Sequence, residues 1–170
     1  LVATTPPGNI GSTARAMKTM GLSRLYLVTP KLFPDLKAKE MAAGADDVLA
    51  NAVITETLED AIKGCQLIIA TSARPRGLSL PGLMPPDCAE MIVSQPDETE
   101  VAIVFGREHA GLTNEELLRC HFHVNIPSDP GFSSLNLSQA VQIIAYELRM
   151  KLLSPEVNVA CHQELLATAD

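Results

Sequence analysis

Short apolar runs recur along the chain as LYLV (25–28), LIIA (67–70) and VAIVF (101–105), with FHVNI (122–126) as a last one interrupted by His123 and Asn125. Runs this short and unbroken predict strands, and VAIVF reads as a buried one, because an alternating pattern would mark a strand with one wet face. Between them the apolar positions return every three or four residues, the period of a helix. Strand and helix therefore alternate, which predicts an α/β fold with a mostly parallel sheet flanked by helices. Leu1–Ala3 reads as the end of a first strand, followed by a helix (ARAMKTM, 14–20) capped by Ser12 or Thr13 and stopped at Gly21. Two helices and a weak strand at Val53 and Ile54 come next, then a helix over 57–63 with Gly64 behind it. Thr113-Asn-Glu-Glu116 has the form of a capping box and starts a further helix. A long last helix is expected over Leu137–Leu152, and Pro81–Pro86 as an irregular connection.

Composition narrows the class without deciding it. The chain has 170 residues, 46% apolar and 19% charged, enough for one domain that buries roughly 70% of its unfolded surface. With 4% aromatic residues and no Trp, the core must be aliphatic. No apolar run reaches the roughly 18 to 20 residues that cross a bilayer, and no secretory pattern is visible. The chain begins with Leu rather than Met, so a preceding segment is expected. Cys65, Cys88, Cys120 and Cys161 form no CxxC pair and read as small buried residues in a reducing compartment, which points to the cytoplasm. Cys120-His-Phe-His123 and Cys161-His162 lack the second paired element that structural zinc wants, so no metal is expected.

A net charge of −7 argues against a nucleic-acid partner if taken alone. Its distribution is uneven. Residues 1–39 carry six basic residues and one acid, giving +5, whereas residues 77–170 carry four basic and thirteen acidic residues, giving −9. Either a polarised surface or an ordinary solvated face follows.

Ligands of open parallel sheets sit beyond the carboxyl ends of the strands. Four segments lie there: 5–12 (TPPGNIGS), 71–76 (TSARPR), 105–111 (FGREHAG) and 130–140 (PGFSSLNLSQA). They gather Gly, Ser, Asn, Arg and Glu at one rim, and Gly8, Gly11, Gly106 and Gly111 could admit a ligand close to the backbone. The last segment holds more hydrogen-bonding groups than a loop or a helix cap needs. Gly8-Asn-Ile-Gly11 matches neither a P-loop nor G-x-G-x-x-G and could be a plain turn into a helix. Arg15 stands near the positive end of its helix, which favours an anionic partner such as a phosphate or Glu108. Arg107 beside Glu108 reads as a solvent-facing pair, and His109 as surface.

As a set, Asn9-x5-Arg15, then FGREHAGL (105–112), then the IP…FSSLNLSQA stretch (126–140), resembles the three signature motifs of the SPOUT methyltransferases. The resemblance lies with the branch that methylates ribose 2′-hydroxyls of RNA, and it spans residues 1–152. It implies a SPOUT fold with a C-terminal deep trefoil knot, a homodimer, and S-adenosylmethionine as the methyl donor. It implies tRNA as the substrate, at cytidine or uridine in anticodon-loop position 32. Residues 1–152 would form the catalytic domain, and 153–170 the start of an extension that could be absent. Carried over by motif, cofactor contacts fall to Thr71, Ser72, Ala73, Gly106, Ile126, Ser133, Ser134 and Leu135. Arg15 would contact the hydroxyl, held by Asn9 and Glu108, while Ser134 and Asn136 position the ribose. Arg74 and Arg76 would add to the RNA contact. Two rival readings remain: a Rossmann-like dinucleotide enzyme, or a catalytically silent RNA-binding module of the same fold. The first wants an acid at the end of the second strand, where Thr29-Pro30 stands instead.

Overall fold

A computed structural model describes residues 1–73 and 80–167, with side chains up to Ser154. The elements run α1 (Pro7–Thr19), β1 (Tyr26–Val28), α2 (Leu36–Ala42), α3 (Asp46–Ala50), β2 (Val53–Thr55), α4 (Leu58–Ala61) and β3 (Leu67–Thr71). They continue as β4 (Gly82–Leu83), α5 (Pro85–Val93), β5 (Val101–Val104), α6 (Asn114–Leu117), β6 (Phe122–Val124) and α7 (Leu137–Ala167). Every strand pairing is parallel, with orders β1-β2 and β4-β6-β3-β5. Leu1–Ala3 joins the two groups: Val2 N–H donates to Phe105 O, and Ala3 N–H to Val28 O. The expected first strand is thus present, reduced to a single bridge between Val2 and Val28.

The unbroken apolar character of β3 follows from its central place. Leu67 and Ile69 face a core with Ile10, Met17, Cys88, Val141 and Ile144, so α1, α5 and α7 cover that side. Ile68 and Ala70 face the opposite core, with Leu58, Leu112 and Leu117 from α4, the loop after β5 and α6. Successive residues of a strand point to opposite faces, so a strand covered on both sides must be apolar at every position. In β5 only Val104 is fully buried and Val101–Ile103 are half-buried, less than its apolar run predicted. Among the described residues Cys65, Cys88 and Cys120 are free thiols, and burial pushes Cys88 and Cys120 up to about 11.

Several boundaries differ from the sequence reading. Helix α1 starts at Pro7 rather than behind Ser12 or Thr13, with Pro at the first helical positions where its missing N–H costs nothing. Thr13 is buried inside the helix. Gly11 is there because α1 presses against the backbone of α2: a Cβ at that position would lie 2.0 Å from Ala38 O. That glycine serves helix packing, and the ligand approach expected of it is excluded. Region 81–86 is more ordered than expected, since Gly82–Leu83 pairs with β6 and Pro85 opens α5. Proline suits the first turn of a helix as well as an irregular connection, and here Pro85 and Pro86 do the former. Helix α7 runs on past Leu152 to Ala167. Gly21 follows α1 in the left-handed conformation, and the Thr113–Glu116 capping box forms in full.

Gly11→Ala is expected to push α1 and α2 apart at a cost of about 2–3 kcal/mol, as overpacked sites show. A thermal melt followed by circular dichroism should fall by about 4–12 °C.

Candidate functional site

Because all strands are parallel, the loops after β3, β5 and β6 emerge on one side of the sheet. They enclose a cavity of about 160 Å³. Thr71, Ser72, Ala73, Gly106, Ile126, Ser133, Ser134 and Leu135 all line it, so the eight positions carried over for cofactor contact meet in space. Glu108 lines it too, as do Phe105, Leu112, Leu117, Val124, Leu137 and Ala140, an apolar floor not singled out from the sequence. That floor was hidden because each member also reads as ordinary core. His109, expected as surface, is exposed at the mouth.

Gly106 stays a glycine for a reason other than ligand access. A Cβ there would sit 2.3 Å from the carbonyl carbon of Gly111, because the loop folds back as a small hairpin. Its base is the pair Arg107 N–H to Gly111 O at 3.1 Å and Gly111 N–H to Arg107 O at 3.0 Å. Gly111 takes φ +66, a conformation side chains resist, to close the turn.

At the mouth, Asn9 Nδ2 donates to Glu108 Oε1 at 3.2 Å, and Thr5 N–H to Glu108 Oε2 at 3.4 Å. Asn136 Nδ2 donates to Asn9 Oδ1 at 3.3 Å. Ser138 holds the Asn136 amide in turn, its N–H and Oγ–H donating to Oδ1 at 3.0 and 2.7 Å. Ser138 was not among the expected residues. It is the residue that orients this amide, a role the spacing alone does not reveal. Asn9, Glu108 and Asn136 thus form one chain of hydrogen bonds tying α1, the hairpin and the entry to α7 together.

Arg15 does not join them. Six residues along an α-helix turn through roughly 600°, so Arg15 and Asn9 project about 120° apart. Arg15 is exposed and has no hydrogen-bond or ion-pair partner among the described residues. The expected grip of Asn9 and Glu108 on Arg15 is therefore not made within the chain; Asn9 and Thr5 occupy the carboxylate instead.

The Arg107–Glu108 pairing also fails, because neighbouring side chains on the hairpin diverge. Arg107 turns instead to Glu116, with Nη2 donating to Oε1 at 2.9 Å and Nη1 to Oε2 at 3.0 Å. Glu116 Oε2 also accepts from Thr113 N–H at 2.8 Å, so one carboxylate serves both the ion pair and the capping box. Burial opposes its charge, but the Arg107 bonds and the Thr113 N–H outweigh it and hold Glu116 below the usual carboxylate range. Arg107 is pushed up by the same bond.

Cys120 and His121 are accounted for by structure. Cys120 Sγ donates to Glu116 O, and His121 Nδ1 accepts from Ile68 N–H at 3.0 Å. Arg74 and Arg76 lie outside the described residues.

Comparison with known proteins agrees with this geometry. The SpoU rRNA Methylase family matches residues 1–146. The chain is 55% identical over 154 residues to the tRNA (cytidine/uridine-2'-O-)-methyltransferase TrmJ of Photorhabdus laumondii, covering 91% of this chain and 64% of that relative. The chain thus spans less than two thirds of that relative's length. The crystal structure of TrmJ from Z. mobilis superposes with a TM-score of 0.84 at 40% identity, over 87% of this chain and 66% of that one. An AdoMet-bound rRNA methyltransferase from Sinorhizobium meliloti gives 0.69 at 26% identity, over 89% and 55%.

A carboxylate held below its ordinary pKa adds stability that is present above that value and fades as pH falls through the lowered one. Wild type should therefore exceed Glu116→Gln in urea-melt stability at pH 7. The gap should start to narrow as pH falls below the ordinary carboxylate value of 4.5 and close once pH has passed the lowered one.

Proposed function

The chain belongs to the SpoU rRNA methylase family, and on that premise we propose that it methylates ribose 2′-hydroxyls of RNA with S-adenosylmethionine. The substrate is tRNA, at cytidine or uridine in anticodon-loop position 32, and the place of action is the cytoplasm. One observation carries the reading: three loops distant in sequence close around a cavity with an apolar floor and a fixed carboxylate at its mouth.

The residues present suit such a donor. Leu117, Val124, Leu137 and Ala140 offer an apolar bed for a purine, flanked by Ile126 and Leu135. Thr71–Ala73 and Gly106 lie along its edge. The hydroxyls of Ser133 and Ser134 have no partner among the described residues and remain available. Glu108 brings negative charge to a site meant for a sulfonium. When bound, S-adenosylmethionine supplies an activated methyl group for in-line displacement.

The chain's own residues then have to hold the ribose oxygen in line and stabilise the negative charge that grows on it. A guanidinium keeps its proton up to about pH 12, so Arg15 acts as a cation beside the phosphate and the developing alkoxide and cannot serve as the base. Asn9 and Asn136 fix the mouth, and Ser134 with Asn136 positions the ribose.

Arg15 faces away from Glu108 in its own chain, so it reaches the site of a second copy. A homodimer built across that surface follows from this reading. It is supported by Tyr146 and Met150, exposed apolar residues one turn apart on α7. The trefoil knot belongs to the same proposal, with the 125–136 loop threading to bring Asn136 onto α1.

RNA affinity comes largely from neutralised phosphates. Of the six basic residues in 1–39, Lys18, Arg24 and Lys37 are paired with Asp47, Glu100 and Glu40. Arg15, Lys31 and Lys39 have no ion-pair partner among the described residues and are the free cations of that face.

Arg15→Ala should lower tritiated-methyl transfer to unmodified tRNA by about 10²–10³-fold, the scale for losing a transition-state charge contact. S-adenosylmethionine affinity by calorimetry should stay within about threefold. Unchanged turnover would remove Arg15 from the mechanism, and absence of any heat with the wild type would remove the cofactor.

A further inference from the structure

The hairpin over 105–111 supplies Gly106 and Glu108 to the cavity, and Glu108 ties it on one side to Asn9 of α1 and to Thr5. Arg107 supplies a second anchor, to α6. Its backbone closes the hairpin with Gly111 in both directions, and its Nη1 reaches Gly111 O again at 3.3 Å. The same guanidinium makes a two-bond fork to Glu116, whose side chain is 15% exposed. Glu116 is in turn fixed at the third position of α6 by its bond from Thr113 N–H. Leu117, the next residue, forms part of the cavity floor. One chain of bonds therefore runs from the wall of the cavity through Arg107 and Glu116 to its floor.

We propose that the Arg107–Glu116 fork is a positioning clamp that holds the hairpin at the distance the donor requires, so that Arg107, itself one of the residues lining the cavity, tunes cofactor binding through its bonds to Glu116 and Gly111. Resting on the methyltransferase reading for its consequence, this inference gives Arg107 a role distinct from the RNA contact its charge and rim position suggest. A guanidinium whose charge is already met by a carboxylate is a weaker partner for a phosphate than an unpaired one. The two-point fork also explains why the residue must be Arg: lysine is a single point charge and cannot hold two oxygens in one plane.

The test uses Arg107→Lys, Glu116→Gln and the double variant. Gln keeps an oxygen for Thr113, as capping boxes allow, and so leaves α6 intact while removing the charge. Amide hydrogen exchange of 106–110 should quicken in each single variant with no cofactor present, which reads the clamp directly. S-adenosylmethionine affinity should weaken by about tenfold, on the scale that small misplacements of site groups produce. Affinity for tRNA without cofactor should move less than about twofold. The double variant should be no worse than either single one, as expected for partners in one interaction. Unchanged exchange in both single variants would overturn the clamp, and so would a loss of tRNA affinity confined to Arg107→Lys. Should the wild type bind no S-adenosylmethionine, the methyltransferase reading fails while hydrogen exchange still decides the clamp.

Discussion

Parallel pairing of β3 with β5 on one side and β6 on the other is the constraint on which the site depends. Because the three strands run the same way, their carboxyl ends and the loops that follow share one edge. Antiparallel pairing at either neighbour would send one loop to the far side and leave the cavity without a wall. The register matters as much, since Ala70 stands opposite both Val104 and His123, ending the strands nearly level. Two hydrophobic cores, one on each face, hold this arrangement. They also explain why the strands carry almost no polar residues until the chain turns out of the sheet at Thr71, Gly106 and Asn125.

Two neighbouring acids show how environment divides roles. Glu116, in the first turn of α6, is paired with Arg107, so its charge is spent on geometry. Glu108, on the 105–111 hairpin, is held by a side-chain amide and a backbone N–H. Neutral donors fix its direction without cancelling its charge. A carboxylate held in this way suits a cationic ligand, whereas one already in an ion pair does not. The Asn9–Asn136–Ser138 chain extends the same principle, each amide oriented by the next donor.

Charge on the outer surface follows a similar economy. Half of the basic residues in the first 39 positions are engaged by acids from elsewhere in the chain or one turn away, so the bulk sum overstates the cation density there. Exposed pairs of this kind add little stability. Their larger consequence is to leave fewer unpaired cations among the described residues of that segment.

What the chain's order of residues determined is what depends on near neighbours. The capping box at 113–116, the stop at Gly21, the alternation of strand and helix and the rim position of the loops all follow from spacing of a few residues, and all are present. The motif set also led to the eight cavity-lining positions. Tertiary structure alone decided which partner each charged or small residue would have. Arg107 sits next to Glu108 in sequence but bonds to Glu116; Gly11 looks like a ligand loop but meets the backbone of α2; Asn9 and Arg15 share a helix but not a face. Periodicity reports which side of an element is apolar. It does not report which other element covers that side, and contacts between residues about a hundred positions apart are settled only when the sheet assembles.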